Sequence, residues 1–237
     1  MQVKHDGTYD QHILNICSQV NQKAGWILRN FKNRSPEFLK FIWLTYLQPK
    51  IDYCSQLWGP PEGPNLKKLE NLLRRFTAKI NGFKNLTYWE RLKRLHLSSI
   101  GRRIERYRII YTWKILQNHS PNCGLTWKRD QYKGTLFDTI QVGKYSIGPR
   151  SASFQYLGPR LFNTLPKYLR NSSLSQEEFK FQLNQFLDDI PDTPVIGDLT
   201  PHLCNLHTKD PTNSLLYWVP HIGLSNLKTK YTGTISD

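Results

Sequence analysis

The 237 residues carry 33 Lys and Arg against 18 Asp and Glu, a formal net charge of +15, with 38% hydrophobic and 13% aromatic side chains. A chain of that length and composition buries a sizeable core without metal or disulfide staples and is not a disordered tail. Widely spaced cysteines (Cys17, Cys54, Cys123, Cys204) argue against a disulfide-rich secreted scaffold, the polar opening MQVKHDGTYD begins no signal peptide, and no apolar run reaches the ~18 residues of a membrane span, so the expectation is an intracellular protein of cytoplasm or nucleus with no membrane partner.

Along the chain, residues 9–31 place Ile13, Ile16, Val20, Ala24, Ile27 and Phe31 at spacings of three or four, which predicts one helix with one apolar stripe. Ser35-Pro36-Glu37 then reads as an N-cap with proline at the first helical position. The segment it opens, FLKFIWLTYLQPKIDYCSQLW, is apolar on nearly every face and is expected at the buried centre of a bundle, kinked or interrupted at Pro49. Gly59-Pro60-Pro61-Glu62-Gly63-Pro64 is a break. Leu66, Leu69, Leu72, Leu73, Phe76 and Ile80 mark a further amphipathic helix, ended by Asn81-Gly82. Thr87 with Glu90 forms a capping box before a short helix, and Ser98 or Ser99 starts a long one through about Asn118. In that long helix Ile100, Ile104, Tyr107, Tyr111 and Ile115 share a face. Arg102, Arg103 and Arg106 lie opposite, on a side also entered by Ile109, Ile110 and Trp113. Beyond residue 119 the texture turns to Gly, Pro, Thr and Tyr, with TLFDTIQV as a strand or two. SASFQYLGPRLFNTLPKYLRN reads as an extended piece and a helix, and Ser175 with Glu178 caps another helix through about Leu187. Past Pro191 the composition is that of a loose tail.

The charge is regional. Residues 67–114 hold 14 basic and 3 acidic side chains, whereas residues 171–237 hold 4 and 8. Candidate nucleic-acid contacts are therefore Lys67, Lys68, Arg74, Arg75, Lys79, Lys84, Arg91, Lys93, Arg94, Arg102, Arg103 and Arg106. Cations on helices release counterions from phosphates and give sequence-independent, salt-sensitive affinity. Tyr88, Trp89 and Trp113 are candidates for stacking on bases or sugars, with Trp89 read instead as a core residue beside Leu92.

Three stretches in order resemble the C-terminal part of reverse transcriptases from non-LTR retrotransposons of the jockey-like and CR1-like kind. They are residues 12–60, with PKIDYCSQLWGP their most recognisable piece; residues 66–116, from LKKLENLLRRF to TWKIL; and residues 153–194. The resemblance implies a thumb-like helical region and a post-thumb extension; with the elements read above, the expectation is a mainly α chain with a helical thumb-like bundle over 1–120, a small α+β post-thumb subdomain over 121–190, and a loose tail over 191–237. It also implies a role in holding a template–primer duplex, RNA or DNA. In that family the fingers and the palm with its metal-binding aspartates precede these blocks, so the expectation is a fragment that does not polymerise alone. The fingers and palm are then a possible partner, and Mg²⁺ belongs only to an intact parent enzyme.

Two fragments imitate polymerase motifs. Phe186-Leu187-Asp188-Asp189 has the aromatic-x-Asp-Asp form, and Phe137-Asp138-Thr139-Ile140 resembles the motif carrying the first aspartate. Polymerase chemistry requires carboxylates converging on two metal ions ~4 Å apart. These pairs follow the thumb-like blocks, and the first ends a polar helix, so no catalytic residue and no metal site is assigned. His202-x-Cys204-x-x-His207 supplies three metal-capable side chains without a fourth, and is read as coincidence. Cys54 is read as a buried structural thiol. The alternative function is a domesticated or remnant helical protein-interaction module with no nucleic-acid role.

Overall fold

The computed structural model describes residues 3, 7–132, 134–142, 152–190, 192 and 215. The expected mainly α chain with a small sheet is what these residues form. Helix α1 (Asp10–Asn30) buries Ile13, Ile16, Val20 and Ile27, the predicted stripe. Phe31 belongs to the stripe by spacing but falls at the helix C-cap, where it is 41% exposed. Ser35 caps α2 (Pro36–Ile42), its side chain accepting from the Phe38 amide at 3.3 Å.

The continuation of α2 differs from expectation in an instructive way. Residues Trp43–Leu47 form a π-helical turn, followed directly by α3 (Gln48–Asp52) with Pro49 in its first turn. Proline has no N–H and its ring crowds the carbonyl four residues back, so widening the turn before it lets the chain continue where an α-helical ladder would break. The buried centre expected here is only half realised. Leu39, Ile42, Trp43, Leu47 and Ile51 are buried, while Phe41, Leu44, Tyr46 and Tyr53 face solvent. An apolar sequence on every face does not by itself supply neighbours on every face.

A left-handed residue, Cys54, turns the chain into the short α4 (Ser55–Trp58). Its thiol is half-buried rather than enclosed, and Cys17 and Cys123 are also free thiols. Helix α5 (Gly63–Thr77) buries Leu66, Leu69, Leu72, Leu73 and Phe76 as its periodicity dictates. The Thr87 and Glu90 capping box opens α6 (Tyr88–Leu95). Of the two candidate serines Ser99 is the cap of α7 (Ile100–Leu116), accepting from the Arg102 amide at 3.1 Å.

Helix α7 is the axis of the molecule. Ile100 and Ile104 complete a first core made with α1 to α6; Ile109, Ile110, Trp113, Ile115 and Leu116 belong to a second core with the C-terminal elements. The division between the two cores falls inside α7. Strands β1 (Trp127–Tyr132) and β2 (Thr135–Ile140) form an antiparallel pair, Trp127 opposite Ile140. The pair is fastened to α8 (Phe154–Thr164) by Asn163, which accepts from the Ile140 amide at 3.0 Å and donates to its carbonyl at 2.8 Å. Helix α9 (Gln176–Asp188) opens with the predicted Ser175 and Glu178 capping box. Its Phe179 stacks on Trp113 with ring centres 4.9 Å apart. Within the segment read as a loose tail, Leu215 packs into the second core.

Candidate nucleic-acid interface

The twelve predicted cations separate into two groups with different physical roles. On α5, the turns after it and α6, Lys67, Lys68, Arg75, Lys79, Lys84, Lys93 and Arg94 are exposed, and Arg74 is half-exposed. They are outside because the leucines of the same helix are inside. With Leu66, Leu69, Leu72, Leu73 and Phe76 turned to the core, and Glu70 and Thr77 buried beside them, Lys67, Lys68, Arg74 and Arg75 fall on the outer side of α5. Lys68 donates to Asn65 at 3.2 Å, and Lys93 lies 4.8 Å above the Trp89 ring. These are surface contacts that leave an ammonium group able to meet a phosphate.

The second group is turned inward and corrects the expectation of a solvent-facing basic side on α7. Arg102 is 3% exposed, lying 3.4 Å from the Glu105 carboxylate and 4.0 Å from Asp192. Arg103 pairs with Asp52, which also accepts from the Tyr107 hydroxyl at 2.9 Å. Burial pushes the Asp52 carboxyl above its usual range, and Arg103 and Tyr107 oppose that rise. Arg106 donates to Asn184 at 2.7 Å, and its half-buried setting lowers its pKa from the usual guanidinium value. Arg91, 5% exposed, donates to the Leu86 carbonyl at 2.8 Å. Arg108, absent from the predicted set, is 1% exposed and donates to the carbonyls of Gln56 and Gly59; burial lowers its pKa to about 10. The long helix therefore uses its arginines to hold α3, α4 and α9 in place. A guanidinium carries five donors on a plane and can satisfy several buried acceptors at once, which suits it to this task.

The carboxylates of the same region are equally unevenly placed. Glu70 and Glu105 are buried, and Glu90, in its capping box, is exposed. Glu70 accepts from the Gly101 amide at 2.8 Å and from the Tyr88 hydroxyl at 2.9 Å. Its pKa is pushed up to about 7, chiefly by burial, with Asp192 adding repulsion. Thus α5, the turns after it and α6 present seven exposed cations against one exposed carboxylate of residues 67–114.

The aromatic candidates also change places. Tyr88 is fully buried on Glu70, and Trp113 is buried against Phe179, so neither ring face is open to a base. Trp89 is half-exposed under Lys93 and, contrary to expectation, lies outside the core. Open rings lie elsewhere, among them Trp26 (56% exposed), Phe31 and Phe41 at the α1–α2 corner, and Tyr46, Tyr53 and Phe181. Trp26 was legible as such: it sits next to Ile27, off the stripe that defines the buried side of α1.

The imitations of polymerase motifs have structural explanations. Asp138 is buried in β2, 2.9 Å from the Arg129 guanidinium, and its amide donates to the Arg170 carbonyl. Asp188 and Asp189 are exposed at the end of α9. Among the described residues no three His, Cys, Asp or Glu side chains gather as a metal site, and no helix is long and apolar enough to cross a membrane. The His202, Cys204 and His207 cluster lies outside the described residues. No protein-family model matches the chain, and neither a curated protein nor a solved structure does.

Proposed function

We propose that the outer surface of α5 and α6 is a sequence-independent grip for RNA or DNA. The observation that supports this most is the imbalance of exposed charge, with Lys67, Lys68, Arg75, Lys79, Lys84, Lys93 and Arg94 accompanied only by Glu90 among residues 67–114. A helical surface of one sign attracts polyanions at long range and holds phosphates without reading bases. The resemblance to non-LTR reverse transcriptases supports the same reading and gives it a context, the thumb and post-thumb of an RNA-directed DNA polymerase. The resembling segments follow the catalytic palm in that family, so on this reading what they contribute is grip on the template–primer duplex.

The test is a salt series on a short duplex. Each phosphate contact contributes about 0.9 to the slope of log affinity against log salt. Changing Lys68, Arg75 and Lys79 together to Glu removes three of the exposed cations and should flatten the slope by about 3 while leaving the fold intact. Affinity that is flat between low and high salt, or a triple variant that binds as the parent does, refutes the grip.

A second reading is supported by Leu44, Tyr46 and Tyr53, exposed by 38%, 54% and 75% on the α2–α3 side. Rings and a leucine open to water there suit a protein partner, either in an interaction module or against a polymerase palm. Concentration-dependent self-association relieved by Tyr46→Ser, in a chain that binds no nucleic acid, is the result that favours it.

A further inference from the structure

The corner where α1 meets α2 carries open rings, Trp26 and Phe31, and cations that the α5–α6 grip does not use, backed by Phe38 on the first core. Trp26 in the last turns of α1 is 56% exposed, an unusual state for the largest side chain. Its ring meets Phe31 edge-on with centres 6.2 Å apart, and Phe31 meets Phe38 at 5.7 Å. The three rings form a continuous ledge. Phe41 follows one turn after Phe38 on α2 and is 57% exposed.

The backbone beneath the ledge is hydrogen-bonded throughout its turn. The Phe31 amide donates to the Ile27 carbonyl, and the Arg34 guanidinium donates to the carbonyls of Leu28 and Phe31, closing the end of α1. Asn30 donates to the Trp26 carbonyl at 2.8 Å. Ligand rings that stack on such a corner meet surfaces already in place, so little ordering cost is added on binding.

Cations surround the ledge. Lys23 and Arg29 lie one turn before and after Trp26 on the exposed side of α1, and Lys32 follows Phe31; all three are exposed, with no ion-pair partner among the described residues. The Arg29 guanidinium lies back over Gly25, beside Trp26. Residues 22–51 hold six basic side chains and one acidic, Glu37. Protein–protein interface cores are depleted of charge, whereas open aromatic rings among cations are the combination that binds unpaired nucleotides, with bases on the rings and phosphates on the cations.

The corner also joins the basic surface. The Asn81 amide donates to the Arg34 carbonyl at 2.9 Å, which brings the turn after α5, with exposed Lys79 and Lys84 nearby in sequence, against the α1–α2 corner. We propose that this corner is a stacking site for unpaired nucleotides of RNA or DNA, with Trp26 and Phe31 as platforms and Lys23, Arg29 and Lys32 on the phosphates. The proposal rests on the nucleic-acid reading above for its class of partner, but on separate residues and a different form of ligand.

The experiment is a fluorescence-anisotropy titration of the full chain with two probes of about 16 nucleotides, a labelled oligodeoxythymidine and a blunt duplex. It compares the parent chain, Trp26→Ala, Trp26→Phe and the Lys68, Arg75, Lys79 triple Glu variant. Trp26 is exposed, so its replacement should leave the circular dichroism spectrum and melting temperature unchanged. Expected is at least a fivefold loss of single-strand affinity in Trp26→Ala, about the lower limit for losing one base–aromatic stack. Trp26→Phe should recover most of the loss, and duplex affinity should change less than about twofold in both variants. The triple variant should lose duplex affinity in turn. Single-strand binding that Trp26→Ala leaves intact overturns the stacking site and spares the grip. Duplex binding that ignores the triple variant overturns the grip alone. A parent chain that binds neither probe overturns both, and a Trp26-dependent attachment to phosphatidylserine vesicles in place of oligonucleotides overturns the stacking site.

Discussion

Glu70→Gln tests the electrostatics of the first core. Glu70 is 1% exposed and is held by two neutral donors, the Gly101 amide and the Tyr88 hydroxyl. Its pKa stands at about 7 in the fold against 4.5 for the free group. The folded state therefore binds the proton more tightly than the unfolded chain. The stability this contributes is fully present below about pH 4.5 and is lost as pH rises through about 7. At about 1.4 kcal/mol per pKa unit, the loss approaches about 3 kcal/mol. Glutamine imitates the protonated acid: its carbonyl still accepts from Gly101, and its amide donates to the Tyr88 oxygen. The exchange strands the Tyr88 hydroxyl proton at a cost of about 1 kcal/mol. The variant should thus be roughly equal to the parent or slightly weaker near pH 5 and more stable by about 2 kcal/mol near pH 8. Urea unfolding followed by circular dichroism at several pH values measures this, with unchanged m-values as the control. A difference between variant and parent that stays constant across the range would show that Glu70 carries its charge in the fold at no cost, and the reasoning would be wrong.

Two further outcomes separate structural from surface roles. Arg108→Ala leaves the buried carbonyls of Gln56 and Gly59 without their donor and opens a cavity, so it should cost about 3 kcal/mol or more in chemical denaturation; Lys93→Ala, at the surface, should stay within about 0.5. Gly158→Ala places a Cβ 2.8 Å from both the Phe154 ring and the Thr112 hydroxyl, where α8 crosses α7, and should lower stability by about 1–3 kcal/mol. A neutral result there would mean that the two helices do not approach as closely as described.

Local chemistry was well written in the chain. Ser35, Thr87, Ser99 and Ser175 each cap the helix they precede, because a cap needs only a side-chain oxygen and an amide two or three residues on. The stripes of α1 and α5 were readable for the same reason, since one face of a helix repeats within a few residues. Pro49 announced an interruption, but whether the ladder would break or widen depended on how α2 and α3 pack against α1.

Local pattern in the chain is enough to set the helical elements, their caps and the concentration of positive charge over residues 67–114. Which of those charges meet solvent depends on how the helices pack. Arg103 finds Asp52, Arg108 finds Gly59 and Arg106 finds Asn184, partners 51, 49 and 78 residues away. No periodicity in α7 records them, because a helix packed on all sides presents polar groups wherever a neighbour offers an acceptor. The same holds for the rings. Tyr88 and Trp113 are enclosed and Trp26 and Phe31 are open, for burial is set by what folds back onto a residue, not by the residue itself.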